Sequence, residues 1–448
     1  MSKTHIIQAL ITFVFSFSFF VDSSYAQEAL TLKDAINYAL KNKNEAINAA
    51  WDIKNANYQI QEARSKVLPS LNGAGALTYN AKLQQMALDF NGQTQVLKMG
   101  TEWQSNAAIQ LEQQIFNLAA FTGLKAAKTT REFYQLNATL TEEQIIERVA
   151  DSYYDIFKTR EQIKTLEKTI ENNTKLKEVM QGLESDGLAK EIDVDRITVA
   201  VNNLNSNKTV LLNALKLQEN GLKYLIGMDI HQPIALSEEE FKIQTLIQDE
   251  GDYDINNRNE IKLMEMQSKL LELNKSAVKT SAYPTLGVSA NYGYMNMGDQ
   301  FPYFVGENQG VYGSDFSAIT LNLTVPIFNG FMVRSKVKQL EIEILKQEED
   351  LKDIKLALNL EIENANTQMR NAILTLETQQ SNKELAEKVL KSIENNYKNG
   401  LASLTDLIDA ENSFAEAQNN YTAAVMGYKS AEIQLKKAKG ELKSYYLE

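Results

Sequence analysis

The chain has 448 residues, a net charge of −12, no cysteine and two histidines, of which His5 lies in a segment that we expect to be removed. Without cysteine, thiol nucleophiles, thiolate metal sites and disulfides are excluded, and the one remaining histidine cannot form a histidine pair or metal cluster within one chain. The 58 acidic residues come without a basic run, which argues against nucleic-acid binding. Paired carboxylates could hydrolyse glycosides, but acids on a helical chain usually form a solvated face. We therefore expect no enzyme, no cofactor and no metal site.

The N-terminal residues 1–26 are typical of a secretory signal peptide. Lys3 supplies a positive start, an apolar run covers 6–21, and Ser24-Tyr25-Ala26 forms a small-residue cleavage site. The alternative is a membrane anchor, but the apolar run is short and ends in small polar residues. No other stretch approaches the roughly 18 apolar residues of a spanning helix, so a mature chain that enters a membrane would do so by strands.

The rest of the chain is internally duplicated. Pro69 and Pro284 each end a helical pattern and open an alternating one. Three further pairs of segments recur in the same order, at offsets of 212 to 215 residues: NKNEAI with NRNEIK, QIFNLAAF with PIFNGFMV, and SDGLAKEIDVD with KNGLASLTDLI. The duplication predicts repeats at 27–227 and 254–448, joined by a linker at 228–253. Each repeat is predicted to run helix, strand, strand, very long helix, turn, helix.

Start signals and spacing define the helices. Thr31, with Asp34 three residues later, predicts the start of the first helix. Neither glycine nor proline follows Gly330 before Gly400, and apolar side chains recur there every seven residues: Val337, Ile344, Leu351, Leu358, Ala365 and Ala372. Such a repeat predicts supercoiled helices. A helix of this length would extend for roughly 100 Å, so we expect an extended chain rather than a compact core.

Four segments alternate apolar and polar side chains, at about 70–80, 103–115, 285–295 and 316–326. The apolar positions that we expect to face lipid are Ile109, Leu111, Leu286, Val288, Ile319, Leu321, Leu323 and Val325. One interpretation is a soluble sheet with one face on a core. The other is a membrane barrel, apolar outside and polar inside, which aromatic residues in these segments favour: Tyr79, Trp103, Tyr292 and Tyr294.

Four strands cannot close a barrel, and open sheet edges are not tolerated in hydrocarbon because their backbone groups find no water. Several chains would therefore share one barrel. A dimer, a trimer or a tetramer would supply eight, twelve or sixteen strands, and the strand pattern does not choose among them.

With these features in order, the chain resembles the TolC family of outer-membrane efflux proteins over its whole mature length. The resemblance rests on the duplicated plan, on LPSL and YPTL at the strand starts, on VPIFNG at the return to helix, and on GLAKEIDVD and GLASLTDLIDAENS at the turns. It implies a mainly α fold with a small β part. A trimer would form a twelve-stranded barrel in the outer membrane of a Gram-negative bacterium, continuing into a long helical tunnel in the periplasm.

The resemblance also implies a passive exit duct. Such proteins carry substrates outward from an inner-membrane pump of the RND or ABC type, and a periplasmic adaptor docks to their closed end and opens it. The linker at 228–253 fits the family's belt around the tunnel. Drugs, metals and secreted proteins are alternative cargoes, in drug efflux or type I secretion. A second hypothesis is a structural or adhesive coiled-coil protein of the cell envelope, which explains the heptads but not the duplicated strands.

The two turns, at about 185–191 and 399–404, match the family's tips that adaptors grip. Each has a glycine followed by a leucine, Gly187-Leu188 in the first turn and Gly400-Leu401 in the second. An ordinary helix end uses the same pair, because glycine permits a positive φ and the next apolar side chain packs back on the helix. Docking is the function that the resemblance implies.

Asp406 and Asp409 match the paired aspartates that line the narrowest part of the family's tunnel. Residues three apart share a helix face, so three chains would stack two rings of carboxylates, which favour cations. Ser403 with Asp406 also has the spacing of a capping box, which gives Asp406 a structural alternative. Asp409 lies beyond the cap.

The resemblance also implies links that hold the closed end together. Tyr397 and Asp193 match two of the linking positions. The expected basic partners are missing, because Val425 and Ala402 occupy the positions where the family pattern has basic residues.

Overall fold

The computed structural model describes residues 29–90, 92–237, 254–302 and 310–447. The predicted signal peptide and the predicted linker beyond residue 237 lie outside these ranges. The helices are α1 Leu32–Asn42, α2 Asn44–Ser65, α3 Leu118–Ser185, α4 Glu191–Ile226, α5 Asn259–Thr280, α6 Met332–Lys398, α7 Leu404–Ala438 and α8 Leu442–Leu447. The strands are β1 Ser70–Tyr79, β2 Gln84–Phe90, β3 Gln93–Met99, β4 Trp103–Phe116, β5 Thr285–Gly298 and β6 Val311–Thr324.

These elements give a mainly α chain with a small β part, which confirms the predicted fold class. Helix α1 begins as its sequence predicts, because the backbone N–H of Asp34 donates to Thr31 Oγ1 over 3.1 Å and the N–H of Thr31 donates to Asp34 Oδ2 over 3.2 Å. None of the described helices is both long and apolar enough to cross a bilayer.

The chain divides into two compact units that do not coincide with the two sequence repeats. Of the described residues, those up to 47, from 142 to 237 and from 362 onward form one unit, and those from 48 to 141 and from 254 to 361 form the other. Each unit therefore combines segments from both halves of the chain. The cause is the length of α3 and α6, each of which runs through both units.

The first unit is helical and contains the main hydrophobic core. Side chains from α1, α3, α4, α6, α7 and α8 meet in one cluster, whose fully buried members include Ile36, Ile145, Ile146, Tyr153, Leu222, Ile226, Tyr428 and Ile433. Burial of each such side chain contributes about 1.5–3 kcal/mol relative to exposure. This cluster is the main source of the unit's stability.

The C-terminus of α4 packs closely on the junction between α1 and α2. Gly227 ends α4 with φ 75°, and its Cα position leaves no room for a side chain: a Cβ there would lie 2.7 Å from the carbonyl oxygen of Asn42. Beside it, Lys43 Nζ donates to the carbonyl oxygen of Tyr224 over 2.9 Å and lies 3.8 Å from the centre of the Tyr224 ring. The glycine is therefore required by both φ and space.

The second unit contains a four-stranded antiparallel sheet in the order β1-β4-β5-β6. Directly paired residues share a face, and rows such as Leu71, Leu111, Ala290 and Ile319 run across all four strands. The register brings seven of the eight predicted lipid-facing residues to one face: Ile109, Leu111, Leu286, Val288, Ile319, Leu321 and Leu323. The eighth, Val325, lies one residue beyond β6.

The opposite face of the sheet is polar. Gln110 Nε2 donates to Glu112 Oε1 over 2.7 Å, and Asn322 Nδ2 donates to Ser289 Oγ over 3.2 Å. The apolar face is exposed to the surroundings, with Ile319 83% exposed. Among the described strands, β1 and β6 each have one edge that pairs with no other strand.

The strand prediction for the first repeat was incomplete. The structure adds a hairpin, β2 and β3, between the two predicted strands of that repeat. Its turn contains Gly92 with φ 83°, and the sequence there reads DFNGQT. An Asn-Gly pair between short alternating segments is a hairpin signal, so this element could have been found from the sequence.

Candidate gate and docking tips

The two helical turns have the same backbone structure. In the first, the N–H of Gly187 donates to Glu184 O over 2.9 Å and the N–H of Leu188 donates to Leu183 O over 2.7 Å. In the second, the N–H of Gly400 donates to Tyr397 O over 3.0 Å and the N–H of Leu401 donates to Asn396 O over 2.8 Å. The glycines have φ 73° and φ 72°. Both helices thus end in a Schellman motif.

The leucine of each turn is directed to solvent. Leu188 is 76% exposed and Leu401 is 78% exposed. In an ordinary Schellman motif the equivalent side chain packs back on the helix it follows. Most of each leucine surface makes no such contact within the chain, so the helix-end explanation accounts for the glycines but not for the leucines. Each leucine offers about 1.5–3 kcal/mol of burial to a partner.

The helices that follow the turns begin differently. Helix α7 has a complete capping box: the N–H of Ser403 donates to Asp406 Oδ2 over 2.8 Å, and the N–H of Asp406 donates to Ser403 Oγ over 3.2 Å. Helix α4 begins after Lys190, whose side chain makes no cap hydrogen bond. The second turn is therefore the more firmly capped of the two.

Asp406 and Asp409 both lie on the exposed face of α7, opposite the buried Leu404, Leu407 and Ile408. The hydrogen bonds from the backbone and hydroxyl of Ser403 lower the pKa of Asp406, which keeps this carboxylate ionised. Asp409 takes no part in the capping box. Across the ranges that the structure describes, no group of three or more acidic or histidine side chains could hold a metal ion.

Helices α3 and α4 form the first helical hairpin, and α6 and α7 form the second. Asp193 lies on the first hairpin and Tyr397 on the second, both near the turns. The hydroxyl of Tyr397 donates to Met180 Sδ on α3 over 3.2 Å. Burial raises the pKa of Tyr397, and the nearby Asp193 carboxylate raises it further. The carboxylate of Asp193 is therefore close enough to Tyr397 to disfavour ionisation of its hydroxyl.

The basic link between the hairpins comes from Arg196, which no sequence pattern indicates. Arg196, on α4, lies with Nη1 3.6 Å from Asp193 Oδ1, and the same nitrogen donates to Thr405 Oγ1 on α7 over 3.0 Å. Val425 is a buried core residue of α7. Although residues 402 and 425 are not basic, Arg196 still provides an arginine contact between the two hairpins.

A second contact between the hairpins lies deeper. Asn173, on α3, donates from Nδ2 to Glu411 Oε2 on α7, and both residues are buried. An apolar cluster from α3, α4 and α7 surrounds the turns: Met180, Val194, Ile197, Val201, Leu404 and Ile408. Nothing local in the sequence indicates either polar contact, because the partners are 209 and 238 residues apart.

Comparison with known proteins connects both units to one family. The family described as outer membrane efflux protein matches residues 35–228 and 255–441. Outer membrane protein TolC of Salmonella enteritidis is 21% identical over 409 residues, which cover 86% of this chain and 77% of that protein. TolC of Vibrio cholerae serotype O1 is 21% identical over 393 residues, covering 86% of this chain and 85% of that protein.

Solved structures share the fold at lower identity. The Campylobacter jejuni CmeC outer membrane channel superposes with a TM-score of 0.73 at 16% identity, covering 92% of this chain and 86% of that one. The open state of the Neisseria gonorrhoeae MtrE outer membrane channel gives a TM-score of 0.70 at 15% identity, covering 92% and 89%.

Proposed function

The chain belongs to the outer membrane efflux protein family and is a protein of the Gram-negative outer membrane, and we propose that it is the passive exit duct of a tripartite efflux or type I secretion system. The observation that carries this proposal is the sheet, which has one exposed apolar face, one polar face and two unpaired edges. The alternative hypothesis, a structural coiled-coil protein, does not account for such a sheet.

Three copies would close the sheet. Pairing β6 of one chain with β1 of the next gives twelve strands without an edge, which satisfies every backbone group in lipid. The face that carries Ile319 and Leu321 would contact lipid, and the face that carries Gln110 and Glu112 would line the lumen. The helices would then extend into the periplasm, toward a periplasmic adaptor and an inner-membrane pump.

The turns would be the regulated end of the duct. The exposed Leu188 and Leu401 are suited to an adaptor that buries apolar surface. The exposed carboxylates of Asp406 and Asp409 would form the constriction, and the Arg196 contact with Thr405 would help to hold the hairpins together until the adaptor docks. No step in this account requires catalysis.

The constriction is tested by removing its charge. In planar bilayers, Asp406→Asn with Asp409→Asn is expected to raise the concentration of a trivalent cation needed for half block by about tenfold or more, because six carboxylates per trimer are neutralised. Ser403→Ala is the matched control, since it breaks the capping box but leaves both carboxylates in place. Unchanged block in the double variant, or equal loss in Ser403→Ala, would contradict the assignment.

Removal of the arginine contact is expected to loosen the closed end. Arg196→Met keeps most of the side-chain length but loses the hydrogen bond to Thr405 Oγ1. A partly exposed contact of this kind contributes about 0.5–1 kcal/mol, so the leak current without adaptor should rise about 2- to 5-fold. Lys190→Met removes a positive charge from the start of the same helix and should leave the current unchanged. An equal rise in both variants would mean that charge, not the hydrogen bond, sets the current.

A further inference from the structure

Glu411 is a buried acid between the two hairpins, two residues beyond Asp409. Glu411 is 8% exposed and Asn173 is 2% exposed. The amide nitrogen of Asn173 donates to Glu411 Oε2 and also to the carbonyl oxygen of Thr169 over 3.0 Å. The contact joins α3 of one hairpin to α7 of the other. Neither the proposed constriction nor the proposed docking tips use it.

Among the described residues, one polar atom of this pair has no hydrogen-bond donor. Asn173 Oδ1 is buried and, within the part of the chain that the structure describes, accepts no hydrogen bond. An ionised Glu411 is an acceptor only and cannot satisfy it. A protonated Glu411 carries an O–H, and a carboxylic acid and a primary amide can each donate one hydrogen bond to the other. Protonation would therefore complete the pair, whereas ionisation leaves a buried acceptor unpaired.

The surroundings of Glu411 favour its neutral form. Burial raises the pKa of Glu411 to about 7, against the opposing effect of the Asn173 hydrogen bond. From α3 the facing group is the neutral amide of Asn173, and from α6 it is the carboxylate of Glu394, which raises the pKa further. Among the described residues, Glu394 is the one charged group that perturbs this pKa, and it is negative.

We propose that Glu411 and Asn173 form a proton-dependent clasp between the two helical hairpins. When Glu411 is protonated, two hydrogen bonds join α3 to α7; when it ionises, one is lost and a buried negative charge takes its place. Because the pKa is raised in the folded chain, the stabilisation is fully present below the ordinary pKa of 4.5 and is lost as the pH rises through about 7. The hairpins are therefore held less firmly in alkaline than in acidic medium.

The consequence for transport rests on the proposed function. If the turns close the duct, a loosened clasp lowers the work that an adaptor must do to separate the hairpins. The clasp itself is a property of the folded chain, and it can be measured without any current.

Hydrogen exchange of the full-length protein in detergent, read by mass spectrometry, tests the clasp. The exchange rates are first corrected for the intrinsic pH dependence of amide exchange. Protection of the amides around Asn173 and around Glu411 should then fall together, by about tenfold or more between about pH 5 and about pH 9. The midpoint of this change should lie near pH 7. Glu411→Gln should remain protected throughout, because a glutamine amide can donate to Asn173 Oδ1 and accept from Nδ2. Glu394→Gln should move the midpoint to lower pH.

Glu416→Gln, which removes an exposed acid farther along the same helix, is the control and should leave the midpoint unchanged. A flat profile in the unsubstituted chain, or the same pH response in Glu411→Gln, would overturn the clasp. If Glu411→Gln fails to fold, the shift in Glu394→Gln still decides the matter. Loss of cation block in the Asp406 and Asp409 variants is independent of these results, so the clasp and the duct can fail separately.

Discussion

Gly227→Ala is expected to cost the helical unit about 2–5 kcal/mol of unfolding free energy. About 1–2 kcal/mol comes from holding a residue with a Cβ at φ 75°. A further 1–3 kcal/mol or so comes from overpacking, because the new Cβ would lie 2.7 Å from the carbonyl oxygen of Asn42 and 2.9 Å from its carbonyl carbon. Both atoms belong to backbone, which cannot move aside as a flexible side chain can.

Gly187→Ala separates the two causes. Gly187 has nearly the same φ, 73°, but an added Cβ would meet nothing within 4 Å. Urea unfolding, followed by circular dichroism, should therefore give a loss of about 1–2 kcal/mol for Gly187→Ala and a clearly larger loss for Gly227→Ala. Equal losses would show that the contact with Asn42 is not tight in solution.

In the proposed barrel, Leu321→Arg is expected to cost about 2–4 kcal/mol per chain, because an arginine on the side that would face lipid, near the bilayer midplane, must leave water. Leu321 lies on the exposed apolar face of the sheet, in the row that contains Val288. Three chains would each bear the cost, so little assembled trimer should reach the outer membrane.

Thr320→Arg is the matched control for this prediction. Thr320 is the adjacent residue of the same strand, pairs with Ser289, and faces the polar side that would line the lumen. Its substitution should change stability by about 1 kcal/mol or less. Unfolding of the refolded protein in liposomes and the yield of trimer in outer-membrane fractions measure both variants. Equal tolerance of the two arginines would refute the assignment of the faces.

Much of the fold follows from local patterns. The seven-residue spacing around Val337 and Ile344 predicts a long supercoiled helix, and alternation around Leu321 predicts a strand, because both patterns depend only on near neighbours. The mainly α class with a small sheet follows from them and is confirmed. The β2–β3 hairpin was missed because its strands are only seven residues each, although Asn91-Gly92 marks its turn in the sequence.

The candidate site also contains residues that local sequence predicts and residues that it does not. Gly187 and Gly400 can be predicted from residue type alone, because a helix end with positive φ favours glycine. Arg196 and Asn173 cannot, since an arginine or asparagine on a helix is usually solvated. Their significance depends on which residue of the other hairpin lies opposite, and that is set by the packing of Val194, Ile197 and Leu404. Charge patterns along one chain carry no such information.

The unequal capping of the two turns has a mechanical consequence. A capping box stabilises a helix start by about 1 kcal/mol, so the first turn of α4 should fray about fivefold more often than that of α7. In the proposed trimer, three more compliant tips would alternate with three stiffer ones around the closed end. An adaptor that contacts all six tips would therefore deform the three tips that precede α4 before the three that precede α7.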